Sequence, residues 1–474
     1  MVLELVGSRL LAPYFGNSIF VWTSLIGVIL GFIALGNFMG GRLGDRRLSD
    51  EVLMWILVGV SASISIVAFS DSLLLPSLAR GSSLKAGAVI AAVILYGLPS
   101  TLLGMVSPYC IRLKMHAISD SGATVGSLYA LSTLGSIVGT FAAGFWLITV
   151  VGSHDLLAVL AAVPLVLSLF FVGPISARRI AGVLVAAAIL AAAALTMRPL
   201  AGTFDTTYDR YIIRRATENA TMRPLVALSR RPTSTESEVY ADTGEPFLFD
   251  YYAYYDTALK LAPNVDRTLL IGGGIFSYPR RQLALRPASA IDVVEIDPKL
   301  VEVARSTFYL KDDPRMRIII EDGRMFLNTT SGQGQYDVVF LDAFKSAETV
   351  PYQLTTYQSM KRCYGMLGEH GVLAVNTIGS VSGPGSKFVW AEYATLKAVF
   401  PQVAVFAADS PNNPSEVQNM CMIASKDAST DLVAAVQRVS PGLAANRIAF
   451  PRVPEGTRIL TDDFAPVDQY LIGL

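Results

Sequence analysis

Glu295, Asp297, Asp322 and Asp342 each stand at or just past the end of a short apolar run, and Gly272, Gly273 and Gly274 follow another such run. Glycines after a strand let a backbone approach a ligand closely. An acid that ends the next strand can accept both hydroxyls of a ribose. A further carboxylate facing the same cleft can attract a cation or take a proton. The glycines, Glu295 and Asp297 fall in one stretch, RTLLIGGGIFSYPRRQLALRPASAIDVVEID, from Arg267 to Asp297. Its order is apolar run (Thr268–Ile271), glycine turn, helix-compatible segment, second apolar run (Ile291–Val294), acid. That is the order of a nucleoside-binding βαβ unit. The spacing is not the dinucleotide G-x-G-x-x-G, because Ile275, Phe276 and Ser277 follow the glycines. That weakens a dinucleotide reading and leaves room for another adenosine ligand. A carboxylate at a strand end can also cap the next helix, and Asp297 and Asp322 are open to that reading.

Placing these acids together requires alternating strands and helices. From Arg267 onward the pattern predicts strands near 268–272, 291–295, 316–320, 337–341, 371–375, 402–407 and 419–424. It predicts helices near 278–285, 298–306, 323–328, 353–366 and 387–399. That is an α/β domain with a mostly parallel sheet, whose ligands bind outside the carboxyl ends of the strands. Short strands are expected before it, over 208–216 and 238–249.

The first part of the chain is different in kind. Of 474 residues, 52% are hydrophobic and 16% charged, and mean hydropathy is +0.47, too apolar for an ordinary soluble protein. The excess sits before about residue 198, in candidate spans at 19–39, 52–69, 86–105, 125–150, 156–172 and 180–197. Each approaches the roughly 20 residues needed to cross a bilayer. Their Gly, Ala and Ser content suits close helix packing in lipid. The segment 2–14 is too short to span and is either part of a longer helix or interfacial. No cleavable signal peptide is evident, since Glu4 and Arg9 fall inside the opening MVLELVGSRLL. Arg42, Arg46 and Arg47 place the connection 40–50 in the cytoplasm. Arg198, Arg210, Arg214 and Arg215 ask for the same side, which six full crossings do not allow. Either one run does not cross or the last lies in the interface. The expected organisation is a multi-pass membrane domain over 1–198, a small β segment over 199–260 and the α/β nucleoside-binding domain over 261–474. Lys+Arg and Asp+Glu balance at 38 each, so nothing global points to nucleic acid. Cys110, Cys363 and Cys421 lack C-x-x-C spacing and there are three histidines, which argues against disulfides, zinc or any other metal.

The motifs IGGG, VVEID, EDGRMF and DVVFLD together resemble the spermidine synthase family of aminopropyltransferases, which shares the Rossmann-like S-adenosylmethionine methyltransferase fold. The segments ELVGSRLLAPYFGNSIFVW, GNFMGGRLGDRR and the near-terminal LTDDFAPVD are similar to the fused membrane/spermidine synthase-like group. This resemblance implies that Gly272, Gly273 and Gly274 line the nucleoside, that Glu295 holds its ribose, and that Asp322 and Gly323 hold its adenine. It implies that Asp342 accepts the proton of an attacking amine. It also implies a catalytic role for Tyr254, within DYYAYYD, whose tyrosines could equally form a packing layer.

The sequence departs from the family at three points. Ile275 replaces the acid of Gly-Gly-Gly-Asp-Gly-Gly, Lys345 replaces the second acid of D-[ST]-x-D-P, and Tyr255 replaces a Gln or His. Lys345 and Tyr255 are therefore the residues expected to set the acceptor, and a lysine disfavours a polycation. The resemblance implies a membrane-bound transferase that moves an aminopropyl group from decarboxylated S-adenosylmethionine to a polyamine, releasing methylthioadenosine. Two alternatives stay open. One is transfer from intact S-adenosylmethionine to an anionic or lipid-borne acceptor. The other is a transporter or sensor whose α/β half only binds nucleoside, which polar residues inside the bundle would favour. No tightly bound cofactor is expected, because either nucleoside is a co-substrate. The partners are a small-molecule substrate and the lipid bilayer; a homo-oligomer is open. The expected location is the cell membrane, with the α/β domain in the cytoplasm.

Overall fold

Apolar helices occupy the first half of the chain and alternating strands and helices the second. The computed structural model describes all residues except 16–17, 82–83, 116–120, 172–176, 197–201, 231–234, 331–333, 344–349, 384, 449–452 and 472–474. The chain forms two compact units, Met1–Ile212 and Ile213–Leu474.

The first unit contains α1 (Val2–Phe15), α2 (Ile19–Arg46), α3 (Asp50–Gly81), α4 (Leu84–Lys114) and α5 (Ser121–Ala142). A π-helical turn (Ala143–Leu147) carries α5 into α6 (Ile148–Val151), and α7 (Ser153–Leu169) and α8 (Ala177–Thr196) follow. Glycine allows the backbones of α2 and α4 to touch. A Cβ at Gly36 would lie 2.1 Å from the Thr101 carbonyl oxygen, and one at Gly104 would lie 2.5 Å from that of Ile33. This is the close small-residue packing that helices use in lipid. The Tyr109 hydroxyl, on α4, donates to the Arg47 carbonyl at 2.6 Å and accepts the Ser49 N–H at 2.9 Å, closing the α2–α3 turn. Among the described residues, four helices are long and apolar enough to cross a membrane: Ile19–Arg46, Asp50–Val67, Lys85–Lys114 and Gly122–Leu147. They coincide with the first four expected spans. The fifth falls on α7, an apolar helix of 17 residues, at the lower end of the lengths that cross a bilayer. α5 turns Leu131, Val138 and Phe141 outward.

At the end of this unit β1 (Thr203–Asp205) pairs antiparallel with β2 (Arg210–Thr217), and the boundary falls within β2. In the second unit β3 (Pro224–Ser229) pairs antiparallel with β4 (Ser237–Tyr240). The expected strand over 238–249 is thus only its first few residues, because the chain turns back at Gly244, whose φ is +72°. The expected β segment also ends in a helix, α9 (Tyr252–Leu261). Its DYYAYYD run has strand-like composition, but Tyr251, Tyr252 and Tyr255 are spaced to bury one helical face.

An eight-stranded sheet follows. Its parallel core is β5 (Arg267–Ile271), β6 (Ala290–Glu295), β7 (Met316–Ile320), β8 (Tyr336–Leu341) and β9 (Leu367–Gly379). β10 (Gln402–Ala407), β11 (Gln418–Ser425) and β12 (Arg447–Ile448) extend it antiparallel, giving the order β12-β10-β11-β9-β8-β5-β6-β7. The connecting helices are α10 (Ser277–Leu285), α11 (Pro298–Thr307), α12 (Gly323–Thr329), α13 (Tyr357–Met366) and α14 (Ser386–Lys397). α15 (Leu432–Val439) follows β11. On one face Ile271, Leu341 and Val375 pack with Met360 and Cys363 of α13 and Leu396 of α14. On the other, Phe340 packs against Tyr255 and Tyr278. Strands buried on both faces explain the unbroken apolar runs. From β5 the chain goes outward to β6 and β7, then returns to β8 on the other side of β5. The strand order reverses between β5 and β8, which is where open α/β sheets bind ligands.

Candidate active site

The turn after β5 and the residue after β8 meet at this reversal. The Asp342 N–H donates to the Ile271 carbonyl at 2.9 Å, and the Gly272 N–H to that of Val294 at 2.9 Å. Gly272 has φ +99°, and a Cβ there would lie 2.3 Å from the Asp342 carbonyl oxygen. Only glycine joins the two strand ends this closely. Gly274 also has positive φ (+53°), and Phe276 enters α10 in the left-handed region at +63°. Ile275 and Phe276 are fully buried, so the side chain that stands in place of the expected acid points into the core.

Glu295 pins this turn. Its Oε2 accepts the N–H of Gly273 at 2.9 Å and of Gly274 at 3.2 Å, and its Oε1 accepts that of Asp297 at 2.9 Å. The residue is only 6% exposed. Burial pushes its carboxyl above the usual range, and the three N–H bonds oppose that shift. A carboxylate has about four acceptor positions, so about one remains for a ribose hydroxyl. Asp297 and Asp322 cap helices: Asp297 accepts from the Lys299 N–H, and Asp322 Oδ1 from those of Arg324 and Met325 at 2.9 and 3.0 Å. Asp322 Oδ1 is thereby committed to α12. Gly323 opens that helix, and a Cβ there would lie 2.5 Å from Ile271 Cγ2, which draws α12 against β5.

Asp342 is held from two sides. The Tyr251 hydroxyl donates to its Oδ2 at 3.2 Å, and Asn376 Nδ2 to its Oδ1 at 3.2 Å. Burial raises its carboxyl to about 6, while Asn376, Tyr251 and Tyr255 oppose the rise. Burial and the Asp342 charge hold the Tyr251 hydroxyl well above its ordinary value, so it remains a donor. Asn376 stands near the end of β9, is 4% exposed, and has no hydrogen bond to its Oδ1. The site therefore offers a raised carboxylate beside an unsatisfied amide oxygen, both able to accept from an ammonium or amine.

Tyr254, to which the resemblance gave a catalytic role, does not reach Asp342. Its hydroxyl donates to the Ala407 carbonyl at 3.2 Å and accepts from Asn446 Nδ2 at 3.0 Å, and its ring packs on Phe406. Burial raises it to about 12. In a helix, the adjacent residues 254 and 255 point about 100° apart, so tyrosines in one run reach different strands. Tyr255 is fully buried among Tyr251, Tyr278 and Phe340, with its hydroxyl 3.4 Å from the Leu341 carbonyl. It belongs to an aromatic layer behind Asp342 rather than to an open surface. Lys345 lies outside the described residues. Sequence reasoning missed Tyr251 and Asn376. A polar residue ending the apolar run GVLAV was the same signal that marked Glu295 and Asp342.

An open, doubly wound sheet with a glycine turn and strand-end acids at its reversal defines a Rossmann-like nucleoside-binding fold. Residues 254–433 match the spermine/spermidine synthase domain. The chain is 29% identical over 231 residues to the polyamine aminopropyltransferase of Vibrio vulnificus, covering 46% of this chain and 75% of that protein. It is 29% identical over 241 residues to a probable polyamine aminopropyl transferase of Bifidobacterium longum, covering 45% of this chain and 52% of that protein. The chain thus spans three quarters of the first relative and about half of the second. A probable spermidine synthase from Corynebacterium glutamicum is similar in structure, with a TM-score of 0.46 at 23% identity, over 56% of this chain and 97% of that one. The second unit carries a transferase domain, which residues 254–433 match to the spermine/spermidine synthase domain and which is similar to polyamine aminopropyltransferases.

Proposed function

We propose that the second unit transfers an aminopropyl group from decarboxylated S-adenosylmethionine to a primary amine of a polyamine. The observation that carries this reading is Asp342, a carboxylate raised to about 6, held by Tyr251 and Asn376 at the strand reversal. The relatives' activity supports the same reaction class. The glycine turn 272–274 and Glu295 hold the nucleoside through its tail and ribose, and Asp322 with Gly323 meets its adenine. Asp342 draws the amine and removes its proton. The amine nitrogen then attacks the carbon next to the sulfonium. A C–N bond forms, the C–S bond breaks with its pair going to sulfur, and methylthioadenosine leaves as a neutral thioether. No resident cofactor takes part.

We propose further that the first unit is a multi-pass membrane domain. Its four long apolar helices and the outward apolar side chains of α5 support this. The donor is a cytoplasmic metabolite class, and the basic residues near the unit boundary prefer that side, so the second unit faces the cytoplasm.

Calorimetry of the full chain in detergent, with decarboxylated and intact S-adenosylmethionine, tests the donor. Tighter binding of the decarboxylated form is expected, together with methylthioadenosine release on addition of putrescine. Preference for the intact form, with no release, would overturn the reading and favour an anionic acceptor.

A further inference from the structure

The near-terminal LTDDFAPVD run has no part in the chemistry above, yet it is built firmly into the second unit. The Leu460 carbonyl accepts the Tyr357 N–H at 2.7 Å, and the Leu460 N–H donates to Thr395 Oγ1 at 2.9 Å. The Asp462 N–H donates to Gln358 Oε1 at 3.1 Å, and Thr461 and Phe464 close a turn with two bonds of 3.0 Å. These contacts fix the Asp462 carboxylate against α12 and α13. Its Oδ2 accepts from Arg324 Nη2 at 2.6 Å, and its Oδ1 from the Thr356 hydroxyl at 2.7 Å.

Both partners lead to the proposed site. Arg324 is the second residue of α12, and its backbone N–H is on Asp322 Oδ1. Its Nη1 also donates to the Gln353 carbonyl at 3.0 Å and to Thr356 Oγ1 at 3.1 Å. Thr356 caps α13 by accepting the Ser359 N–H, and it ends the segment 351–356, which lies between Asp342 and α13. The Arg324 side chain is 15% exposed and that of Asp462 is 40% exposed. A guanidinium this buried needs its carboxylate, and charge-assisted bonds hold geometry better than neutral ones.

We propose that Asp462 is a positioning residue: through Arg324 and Thr356 it locks the first turn of α12, and with it Asp322, to the segment 351–356. This rests on the reading of Asp322 as the adenine contact. The latch would hold the nucleoside pocket and the amine side in one register, as transfer between two bound substrates requires.

The test uses the full chain in detergent, with Asp462→Ala, Asp462→Glu and, as an exposed neighbour, Asp463→Ala. Amide hydrogen exchange and calorimetry with methylthioadenosine are the two readouts. In Asp462→Ala, faster exchange confined to 323–329 and 351–360 is expected, with β5 and β8 unchanged. Affinity for methylthioadenosine should fall by about five- to tenfold, because the adenine contact is loosened and not removed. Asp462→Glu should recover part of both, and Asp463→Ala should change neither. Unchanged exchange in the two segments would overturn the proposal. So would a uniform loss of protection that includes β5 and β8, since Asp462 would then serve the fold as a whole. If the unaltered chain does not bind methylthioadenosine, the nucleoside reading has failed, and the role given to the latch fails with it. The exchange pattern reports separately whether the latch itself exists.

Discussion

Replacing Tyr251 with Phe removes one hydroxyl and keeps the ring that packs on Phe249, Tyr252 and Tyr255. That hydroxyl donates to Asp342 Oδ2 at 3.2 Å, which favours the ionised carboxylate. A hydrogen bond to a charged group contributes about 1.5–3 kcal/mol, and a bond this long belongs at the low end. At about 1.4 kcal/mol per pK unit, its loss should raise Asp342 by about one unit, from about 6 to about 7. Asp342 must be ionised to act as a base, so the acidic limb of kcat/KM should move up by the same amount. At pH 7 the rate falls only about twofold, and above about pH 8.5 the two proteins converge. The assay is methylthioadenosine release with decarboxylated S-adenosylmethionine and putrescine, from pH 5 to 9. Ionisation of the amine is common to both proteins, so the difference isolates Asp342. Stability follows the opposite sense. A carboxyl raised in the folded state stabilises the fold below its ordinary value and loses that contribution as pH rises through about 6. In Tyr251→Phe the loss should extend to about pH 7. A limb that stays in place while the rate falls at all pH values would refute this account of Tyr251.

Glu295→Gln should weaken methylthioadenosine binding by about 1–3 kcal/mol, since it removes a charged acceptor from both the glycine turn and the ribose; calorimetry reads it directly. Gly272→Ala should destabilise the second unit by at least about 2 kcal/mol, because its Cβ meets a backbone carbonyl at positive φ; a denaturant midpoint measures it. Lys345→Asp, which restores the acid of the family motif, should raise turnover of putrescine; an unchanged rate would show that this residue does not face the amine. A cysteine at the exposed position Lys311 should resist a membrane-impermeant reagent in intact cells and react after permeabilisation, as a cytoplasmic second unit requires; labelling of intact cells would place that unit outside.

Legibility in the sequence followed the reach of each physical rule. The parallel strands were readable to within a residue or two because both faces of β5, β6 and β8 are buried, which forces continuous apolar runs ended by polar residues. β9 was underestimated at 371–375, since its ends (Leu367–Gly379) carry Glu369, His370 and Asn376 and fall outside an apolar run. α9 was not legible, because tyrosine favours strands and only the buried sheet face decides for a helix. The acids were found by their place at strand ends, but their partners were not. Which tyrosine of DYYAYYD reaches Asp342 depends on the rotation of α9 against β8, and no local pattern encodes that. The Arg324–Asp462 pair, 138 residues apart, was equally out of reach.

The raised acid at Asp342 also bears on how an amine can react here at all. A primary amine resembling a lysine side chain titrates near 10.4 in water, roughly 4.4 units above a base at about 6. Passing its proton to that base would cost roughly 6 kcal/mol before any bond to carbon forms. An acid at its ordinary value near 3.9 would make the gap roughly 9 kcal/mol. Burial of Asp342 beside Tyr251 and the aromatic layer of Tyr255 and Tyr278 therefore recovers about a third of the cost on the acid's side. The same burial acts on the amine, whose charged form loses water on entry, and desolvation can lower such a group by up to about 3–5 units. Together the two shifts nearly match donor and acceptor. On this reading the tyrosines serve less as proton carriers than as the apolar wall that brings the two groups to similar affinity for one proton. Opening that wall, for instance by Tyr255→Ser, should separate them again and slow transfer even where Asp342 keeps both of its hydrogen bonds.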